Sequence, residues 1–320
     1  MRIAPLVLLL PTLLSLSTGC AQKEQNRSIV FYNVENLFDT LDTPDKNDAE
    51  FLPDGKNAWN SERYNEKLNH INQVLDEIGN PLIIGLCEIE NKAVVRDIVS
   101  AGNLKGKYGV VHTESLDKRG IDNAIIYDST ALTLQHSGII RYEMPGNSGP
   151  SRDIVWAKFN DGDESIYALV NHWPSRSGGQ VKSEPKRMIA AEAAKDFIDS
   201  LLKMDKSTQI VFMGDLNDSQ EDMAPLLISS VLTPMITPES GTYEGSYAYR
   251  GEWEILDHIM ISKGFLKKKG AHIVKDSGTI HSFDFLTTVY KNKIVPFRTY
   301  GGGKYLGGYS DHLPVSVEIR

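Results

Sequence analysis

The segment QIVFMGDLN, residues 209–217, joins a run of strand-forming residues to an abrupt change in polarity. Its first part, residues 209–213, is short and mostly apolar, which is typical of a β-strand buried on both faces. Asp215 and Asn217 follow at the carboxyl end of that strand. The segment PLIIGLCE, residues 81–88, has the same form and ends at Glu88. The sequence therefore predicts buried strands that end at carboxylates.

Helices alternate with strands on either side of these two segments. Apolar residues recur at steps of three and four from Tyr64 to Ile78, and a glycine follows, which predicts an amphipathic helix. Further helices are predicted near residues 92–99 and 184–203, with Pro185 in the first turn of the second. Other strands are predicted at residues 28–32, 108–112, 124–127, 132–140, 154–159, 166–170, 255–261 and 315–319. Because some gaps have hairpin length and others hold a helix, we predict an α/β protein with mixed sheets and helices outside them.

Polar residues also lie at the ends of most other predicted strands. The set is Asn33, Glu88, His172, Asp215, Asn217, Asp257, Asp311 and His312. A lone buried carboxylate costs several kcal/mol unless a cation or hydrogen bonds compensate it. Seen alone, Asn33 fits a turn as well as it fits catalysis. The whole set predicts a shared site for a metal ion and a phosphate group.

The first residues predict export. Arg2 precedes an apolar run and small residues lead to Cys20, a pattern typical of a signal peptide over residues 1–19 and too short for a spanning helix. The cysteine after Gly19 resembles a bacterial lipobox, so we expect lipidation at Cys20 and a tether over residues 20–27. The alternative is an ordinary cleaved signal in which Cys20 has no role. The first interpretation predicts a membrane-anchored lipoprotein of a bacterial envelope, periplasmic or at the cell surface, with one domain over residues 28–320.

Composition limits the classes of partner. The formal net charge of −8 argues against a broad basic surface that binds nucleic acid non-specifically. A bound cation can supply local positive charge, so an acidic protein can still cleave phosphate esters. Cys20 and Cys87 are the two cysteines, which predicts neither a disulfide framework nor a Cys-x-x-Cys zinc site. No protein partner is predicted.

Six segments together resemble the endonuclease/exonuclease/phosphatase superfamily and occur in that family's order. They are FYNVEN (31–36), CE (87–88), NHWPS (171–175), GDLN (214–217), LDH (256–258) and SDHLP (310–314). The resemblance implies a deoxyribonuclease I-like, four-layer sandwich, with two mixed β-sheets packed together and helices on both outer faces. It also implies Mg²⁺-dependent hydrolysis of phosphate esters, with Mn²⁺ or Ca²⁺ as substitutes.

The same resemblance implies how the metal and the attacking water are held. Glu88 is the expected principal Mg²⁺ ligand, with Asn33 and Asp311 as supporting ligands or water-holders, since a hard cation prefers oxygen. Asp215 and Asn217 resemble the pair that aligns the attacking water and binds the phosphate.

Two histidines are expected to handle protons. His312 resembles the base or phosphate-contacting histidine, and Asp257 its orienting carboxylate. His172 resembles a second catalytic histidine in the pancreatic deoxyribonuclease branch, with Asp153 as its acidic partner. Arg176 and Arg187 follow His172 in the chain and suit contact with a phosphate oxygen, although a solvated loop and helix face fits them at least as well. For Arg176 and Arg187, contact with a phosphate and a place on the solvated surface therefore both stay open.

Three functions are compatible with these residues. An extracellular nuclease is the first, because the His172 pair resembles nucleases of the family. A phosphodiesterase or phosphatase acting on phospholipid head groups, as sphingomyelinase-like members do, or on sugar phosphates is the second, and the core motifs do not separate it from the first. A non-catalytic binding lipoprotein is the third. It predicts the loss of a catalytic position, whereas every expected position is filled.

Overall fold

The computed structural model describes residues 27–79, 81–146, 149–267 and 270–320. The predicted signal peptide, Cys20 and almost all of the predicted tether lie outside these residues, and they stay predictions. Among the described residues, no helix combines the length and the apolar run needed to cross a lipid bilayer.

In the part of the chain that the structure describes, strands make up most of the regular structure and four α-helices accompany them. The strands are β1 Arg27–Leu37, β2 Pro81–Ile89, β3 Tyr108–His112, β4 Asp122–Asp128, β5 Thr133–Ile140, β6 Ile154–Asp161, β7 Glu164–His172, β8 Gln209–Asp215, β9 Thr233–Pro234, β10 Tyr247–Tyr249, β11 Glu252–Glu254, β12 Asp257–Ile261, β13 Thr279–Ile280, β14 Thr287–Tyr290, β15 Lys293–Pro296, β16 Tyr300–Gly301, β17 Lys304–Tyr305 and β18 Val315–Ile319. The α-helices are α1 Ser61–Ile78, α2 Lys92–Val99, α3 Gln180–Met204 and α4 Met223–Ser229.

Most strands belong to two six-stranded mixed sheets. The first sheet has the order β13-β18-β1-β2-β4-β3 and the second has the order β5-β6-β7-β8-β12-β9. Each sheet has one parallel pair at its centre, β1 with β2 and β7 with β8, between antiparallel neighbours. Because the carboxyl ends of parallel strands meet at one edge, this topology brings polar strand ends together in both sheets.

The two sheets pack face to face, and helices cover their outer faces. Successive residues of a strand face opposite sides, so Val211 and Met213 of β8 lie between the sheets while Ile210 and Phe212 pack on α3. The sheets approach closely at Gly85 of β2, where an added Cβ would lie 2.7 Å from the Met213 sulfur. Helices α1 and α2 bury their apolar faces on the first sheet. The predicted four-layer sandwich of two mixed sheets flanked by helices is confirmed.

Two local predictions need correction. Helix α3 begins at Gln180 rather than near Glu184, so Pro185 is its sixth residue and lies beyond the first turn. Polar contacts extend this end of the helix, since Ser183 Oγ donates to the carbonyl of Gly179 at 2.9 Å. The short strands β9 to β11 and β13 to β17 were not predicted, because strands of two to four residues lack a recognisable apolar run.

Candidate active site

Both sheets contribute to a single cleft of about 590 Å³. Glu88 lies at the end of β2, while His172 and Asp215 end β7 and β8 and are neighbours in parallel register. Asp311 and His312 precede β18 and line the same cleft. The five residues on which the predicted hydrolase site depends therefore lie together.

Glu88 presents its carboxylate from a strained stretch of backbone. Its φ angle is 61°, and Glu35 and Asn36 on the neighbouring strand have φ angles of 51° and 53°. Such left-handed values are costly for residues other than glycine and concentrate at functional sites. The Asn36 N–H donates to Glu88 Oε2 at 3.0 Å. Burial, and then the charge of Asp311, raise the pKa of Glu88 above its usual value, so a cation beside it would be stabilising.

Asp215 is at the centre of the polar network. The Nε2 atoms of His172 and His312 each lie 3.7 Å from its Oδ2 atom. Asn33 Nδ2 donates to that same oxygen at 3.0 Å, and the Asn217 N–H donates to Oδ1 at 2.9 Å. Burial raises the pKa of Asp215 to about 7, although His312 opposes the increase. Two imidazoles from different sheets therefore face one carboxylate.

Both polar atoms of the Asn33 side-chain amide make hydrogen bonds. Its Nδ2 atom bonds Asp215, and its Oδ1 atom accepts a hydrogen bond from the Glu35 N–H at 3.0 Å. The turn contact with Glu35 and the contact with Asp215 in the cleft are thus both present. Asn33 orients Asp215, and its oxygen faces Glu35 instead of standing free as a metal ligand.

The predicted pair of His312 and Asp257 is present. His312 Nδ1 lies 2.7 Å from Asp257 Oδ2, and Ser246 Oγ donates to the same oxygen at 2.6 Å. Burial opposes a charge on His312, but Asp257 and Asp215 outweigh it, and the pKa of His312 is raised well above its usual value. The Tyr247 ring packs on the imidazole with a centroid distance of 4.8 Å. The surroundings of His312 therefore favour its charged form, and its Nε2 atom lies beside Asp215.

The predicted pairing of Asp153 with His172 needs correction. Both Asp153 oxygens accept hydrogen bonds from Arg141, from Nε at 3.1 Å and from Nη2 at 2.9 Å. Ile140 and Ile154 face each other at the ends of β5 and β6, so the next residue on each strand, Arg141 and Asp153, are brought side by side. Arg141 therefore engages both oxygens of Asp153, and Asp153 is not the carboxylate partner of His172.

His172 is consequently a histidine without an orienting carboxylate. Its Nδ1 atom is buried and has no hydrogen-bond partner among the described residues. Its Nε2 atom lies 3.8 Å from Glu88 Oε1. Burial, followed by the charges of Arg152 and Arg119, lowers the pKa of His172 well below its usual value. The cleft therefore favours the neutral form of one imidazole and the charged form of the other.

Arg187, predicted to bind substrate, is fully buried. Its Nε atom lies 2.6 Å from Asp218 Oδ2, and its Nη1 atom donates to Ser183 Oγ at 2.7 Å. The backbone carbonyl of Asp218 also lies 2.9 Å from His258 Nε2. Through Arg187, this part of α3 contacts the loop after Asp215. Arg187 holds that loop in place, and its assignment as a substrate contact is wrong.

Arg176 and Asn217 lie at the cleft but are tied to its walls. Arg176 Nε donates to the Asn217 carbonyl at 2.8 Å, and its Nη1 atom donates to Glu254 at 2.5 Å. Asn217 has a φ angle of 51°, and its Nδ2 atom donates to the Trp173 carbonyl at 3.1 Å. Both residues line the cleft, and their predicted contacts with substrate stay predictions.

Two further arginines reach the site, and the sequence patterns did not single them out. Arg119 lines the cleft, keeps about half of its side chain exposed, and is close enough to Glu88 for their charges to interact. Arg152 is buried, donates to the Trp173 carbonyl at 2.7 Å and pairs with Asp117 at 3.4 Å. The only signal in the sequence was the polar segment 117–120 before β4, which is indistinguishable from an ordinary loop.

Two buried ionisable residues, Glu35 and Lys67, support the segment that leads to Asp311, and Lys67 also donates to the carbonyl of Tyr309. Glu35 accepts the Thr299 N–H at 2.6 Å, and Lys67 donates to the Thr299 hydroxyl at 2.5 Å. Burial raises the pKa of Glu35 to about 7 and lowers the pKa of Lys67 to about 8. Asp311 itself lies 3.5 Å from Arg298. The position of Asp311 thus depends on residues from the first strand and the first helix.

The donor set of the cleft fits a divalent cation. Glu88, Asp215 and Asp311 all offer carboxylate oxygens to the same space. Asp215, Asp257 and His312 also have ligand atoms within 4.8 Å of one another. Mg²⁺ favours oxygen donors and keeps several waters. Glu88 with Asp311, and Asp215 beside them, are the residues that would hold such an ion.

The sequence profile of the Endonuclease/Exonuclease/phosphatase family matches residues 28–320. No curated protein sequence was found to match the chain. Among solved structures, an endonuclease/exonuclease/phosphatase family protein from Bacteroides thetaiotaomicron is similar with 16% identity, a TM-score of 0.57 and coverage of 92% of this chain and 97% of the other.

Two further solved structures carry names that describe an activity or a ligand. The mannosyl-6-phosphatase of B. thetaiotaomicron has 17% identity, a TM-score of 0.56 and coverage of 92% and 99%. D. rerio TDP2, complexed with a single-strand DNA product, has 13% identity, a TM-score of 0.59 and coverage of 93% and 100%. At these identities the likeness concerns the fold.

Proposed function

Since the chain belongs to the endonuclease/exonuclease/phosphatase family, we propose that it is a Mg²⁺-dependent phosphoesterase whose substrate is a phosphodiester, nucleic acid first among them. One observation carries the proposal. Glu88, Asp215, His172 and His312 come from distant parts of the chain and line one cleft, where His172 lies 3.8 Å from Glu88 and both histidines lie 3.7 Å from Asp215.

The residues of the cleft divide the reaction between them. An ion held by Glu88 and Asp311 would supply a Lewis acid that neutralises charge on the phosphate. Asp215 is placed to accept a hydrogen bond from the attacking water, and its raised pKa suits the uptake of a proton near neutral pH. His312 donates from Nε2 to a phosphate oxygen while Asp257 stabilises its charge.

His172 receives a different role from the one its sequence predicted. Without a carboxylate on Nδ1, and with a lowered pKa, it is a poor candidate for a charged general acid. Its Nε2 atom points between Glu88 and Asp215, where a neutral ring can hydrogen-bond a phosphoryl oxygen. We therefore assign His172 to electrostatic stabilisation of the transition state.

A phosphomonoesterase acting on a sugar phosphate is the second candidate, and one feature favours it. The Arg119 guanidinium lines the cleft and is about half exposed, and a terminal phosphate carries more charge than a diester. The net charge of −8 also disfavours long polyanionic substrates. The phosphatase with a similar fold acts on a mannosyl 6-phosphate.

A substrate panel separates these candidates. Plasmid DNA, RNA, sphingomyelin, a bis-aryl phosphodiester, an aryl phosphate and a hexose 6-phosphate are assayed with Mg²⁺ and with EDTA. We expect EDTA-sensitive hydrolysis of the bis-aryl phosphodiester and of nucleic acid. Faster turnover of the monoesters would replace the first candidate by the second. No hydrolysis of any substrate would favour the non-catalytic binding protein.

We also propose that the protein is an envelope lipoprotein anchored through Cys20. The support is the leader pattern that ends at Gly19 and Cys20. Metabolic labelling with a fatty acid should tag the wild-type protein and not Cys20→Ser. Equal labelling of both, or none of the wild type, would reject the anchor.

A further inference from the structure

A second group of metal-type ligands lies outside the active cleft. His112 ends the edge strand β3, Glu114 follows it, and Asp122 begins β4 on the neighbouring strand. One ligand atom from each lies within 4.8 Å of the other two. His112 Nε2 and Asp122 Oδ2 are 3.1 Å apart, and both side chains are almost fully buried. The two strands thus hold a nitrogen and an oxygen donor in fixed positions.

We propose that His112, Glu114 and Asp122 form a second divalent-cation site, separate from the catalytic one and suited to Zn²⁺. Tetrahedral Zn²⁺ with ligands at about 2.0 to 2.2 Å separates neighbouring ligand atoms by about 3.4 Å. The separation of 3.1 Å between His112 and Asp122 needs only a small adjustment to reach it. A mixed imidazole and carboxylate set favours Zn²⁺ over Mg²⁺, which prefers oxygen alone.

The charges around the group support a cation. One carboxylate oxygen of Glu114 lies within 4.8 Å of a carboxylate oxygen of Asp122. The Lys46 ammonium group is bound elsewhere, since it donates to the carbonyls of Ser115 and Asp117 at 3.0 and 2.9 Å. The second oxygen of Asp122 accepts the Ser115 N–H at 2.9 Å. Two carboxylates and one imidazole therefore lie together, and a cation between them would reduce the repulsion between the carboxylates.

A cation at this site would connect to the active cleft through the loop 113–121. The site lies at the base of that loop, and Arg119 near its tip lines the cleft. Asp117 in the same loop pairs with Arg152. A cation that joins His112 and Asp122 to Glu114 would close the base of the loop. It would thereby stabilise the folded protein and restrict the position of Arg119.

The test uses the metal-stripped full chain in excess Mg²⁺, with Zn²⁺ as the probe. Bound Zn²⁺ per chain is measured after dialysis, and Tm is followed during Zn²⁺ titration. Wild type should bind Zn²⁺ and show a rising Tm. Glu114→Gln, at an exposed position that leaves folding intact, should weaken Zn²⁺ binding by about 10- to 100-fold or more, since even outer-shell losses have that effect. His112→Ala should do the same.

Two controls separate this site from the catalytic one. His136→Ala changes an exposed histidine on β5 and should bind Zn²⁺ like wild type. Asp215→Asn disrupts the catalytic cluster and should retain the Tm response to Zn²⁺. The proposal is overturned if wild type shows no Zn²⁺-dependent rise in Tm, if Glu114→Gln binds Zn²⁺ as wild type does, or if Asp215→Asn alone abolishes binding.

Discussion

Replacing Arg187 by methionine distinguishes a structural arginine from one that binds substrate. The guanidinium is fully buried and lies 2.6 Å from Asp218, which is also fully buried. Methionine keeps the length and apolar stem of the side chain and removes the charge. The variant therefore leaves the Asp218 carboxylate in the interior without its closest cation, because Arg176 approaches it only to 3.7 Å.

The magnitude follows from the cost of an uncompensated buried charge. Removal of one partner from a buried ion pair costs about 3–5 kcal/mol. For a domain of this size the loss corresponds to a decrease in Tm of about 6 °C or more. The double variant Arg187→Met/Asp218→Leu removes both charges, so it should recover much of the lost stability, since apolar replacement of a whole buried pair is often close to neutral.

The assay is denaturant unfolding followed by tryptophan fluorescence, together with KM for the hydrolysed substrate. Arg119→Met is the matched control, because Arg119 lines the cleft and is partly exposed. It should raise KM while changing the free energy of unfolding by no more than about 0.5 kcal/mol. Arg187→Met should lower the free energy of unfolding and leave KM near that of wild type. Wild-type stability combined with a raised KM in Arg187→Met would refute the structural role and restore the sequence-based assignment.

Four further substitutions test the site and the strands that carry it. His172→Ala should lower kcat by about 10²- to 10³-fold through loss of a transition-state hydrogen bond, whereas Asp153→Asn should leave kcat near that of wild type; equal losses in both would revive their pairing. Asp257→Asn should lower the pKa of His312, measured by NMR titration of the imidazole protons, because the carboxylate favours the charged ring. The stability that this charge contributes is present below the unfolded-state pKa and is lost as pH rises through the raised folded-state pKa, so the stability difference between wild type and Asp257→Asn should shrink at high pH; a constant difference would contradict this sign. Gly214→Ala would place a Cβ 2.4 Å from a backbone oxygen of β7 and should reduce the free energy of unfolding by about 1–3 kcal/mol, and unchanged stability would show that the strands can separate there.

Patterns along the chain predicted the layers and the location of the cleft well. A short apolar run has few structural interpretations other than a buried strand. A carboxylate buried at the end of such a strand costs free energy, so it indicates a compensating group such as a cation. Glu88 and Asp215 could therefore be recognised from residues 81–88 and 209–217 alone. The pair of His312 and Asp257 could be predicted only through the family resemblance, since 55 residues separate the two.

The errors arose where a long-range partner decided the role of a side chain. Asp153 looked available for His172, but the register of β5 and β6 places Arg141 beside it. Arg187 looked exposed, but its role follows from Asp218, which lies on a loop beyond another strand. Arg119 was missed because a guanidinium in a polar loop has no periodicity to reveal it. Local patterns predict elements, whereas pairings between elements depend on register and loop path.

The claim that Glu88 holds the catalytic ion is tested most directly by comparing Glu88→Gln with wild type across a Mg²⁺ titration. Hydrolysis of a bis-aryl phosphodiester is measured at each Mg²⁺ concentration, and circular dichroism checks the fold. If Glu88 binds the ion, the variant should lose about 10³-fold in kcat/KM at the Mg²⁺ concentration that saturates wild type, the equivalent of about 4 kcal/mol of transition-state stabilisation. Near-wild-type turnover with an unchanged half-saturating Mg²⁺ concentration would contradict the assignment.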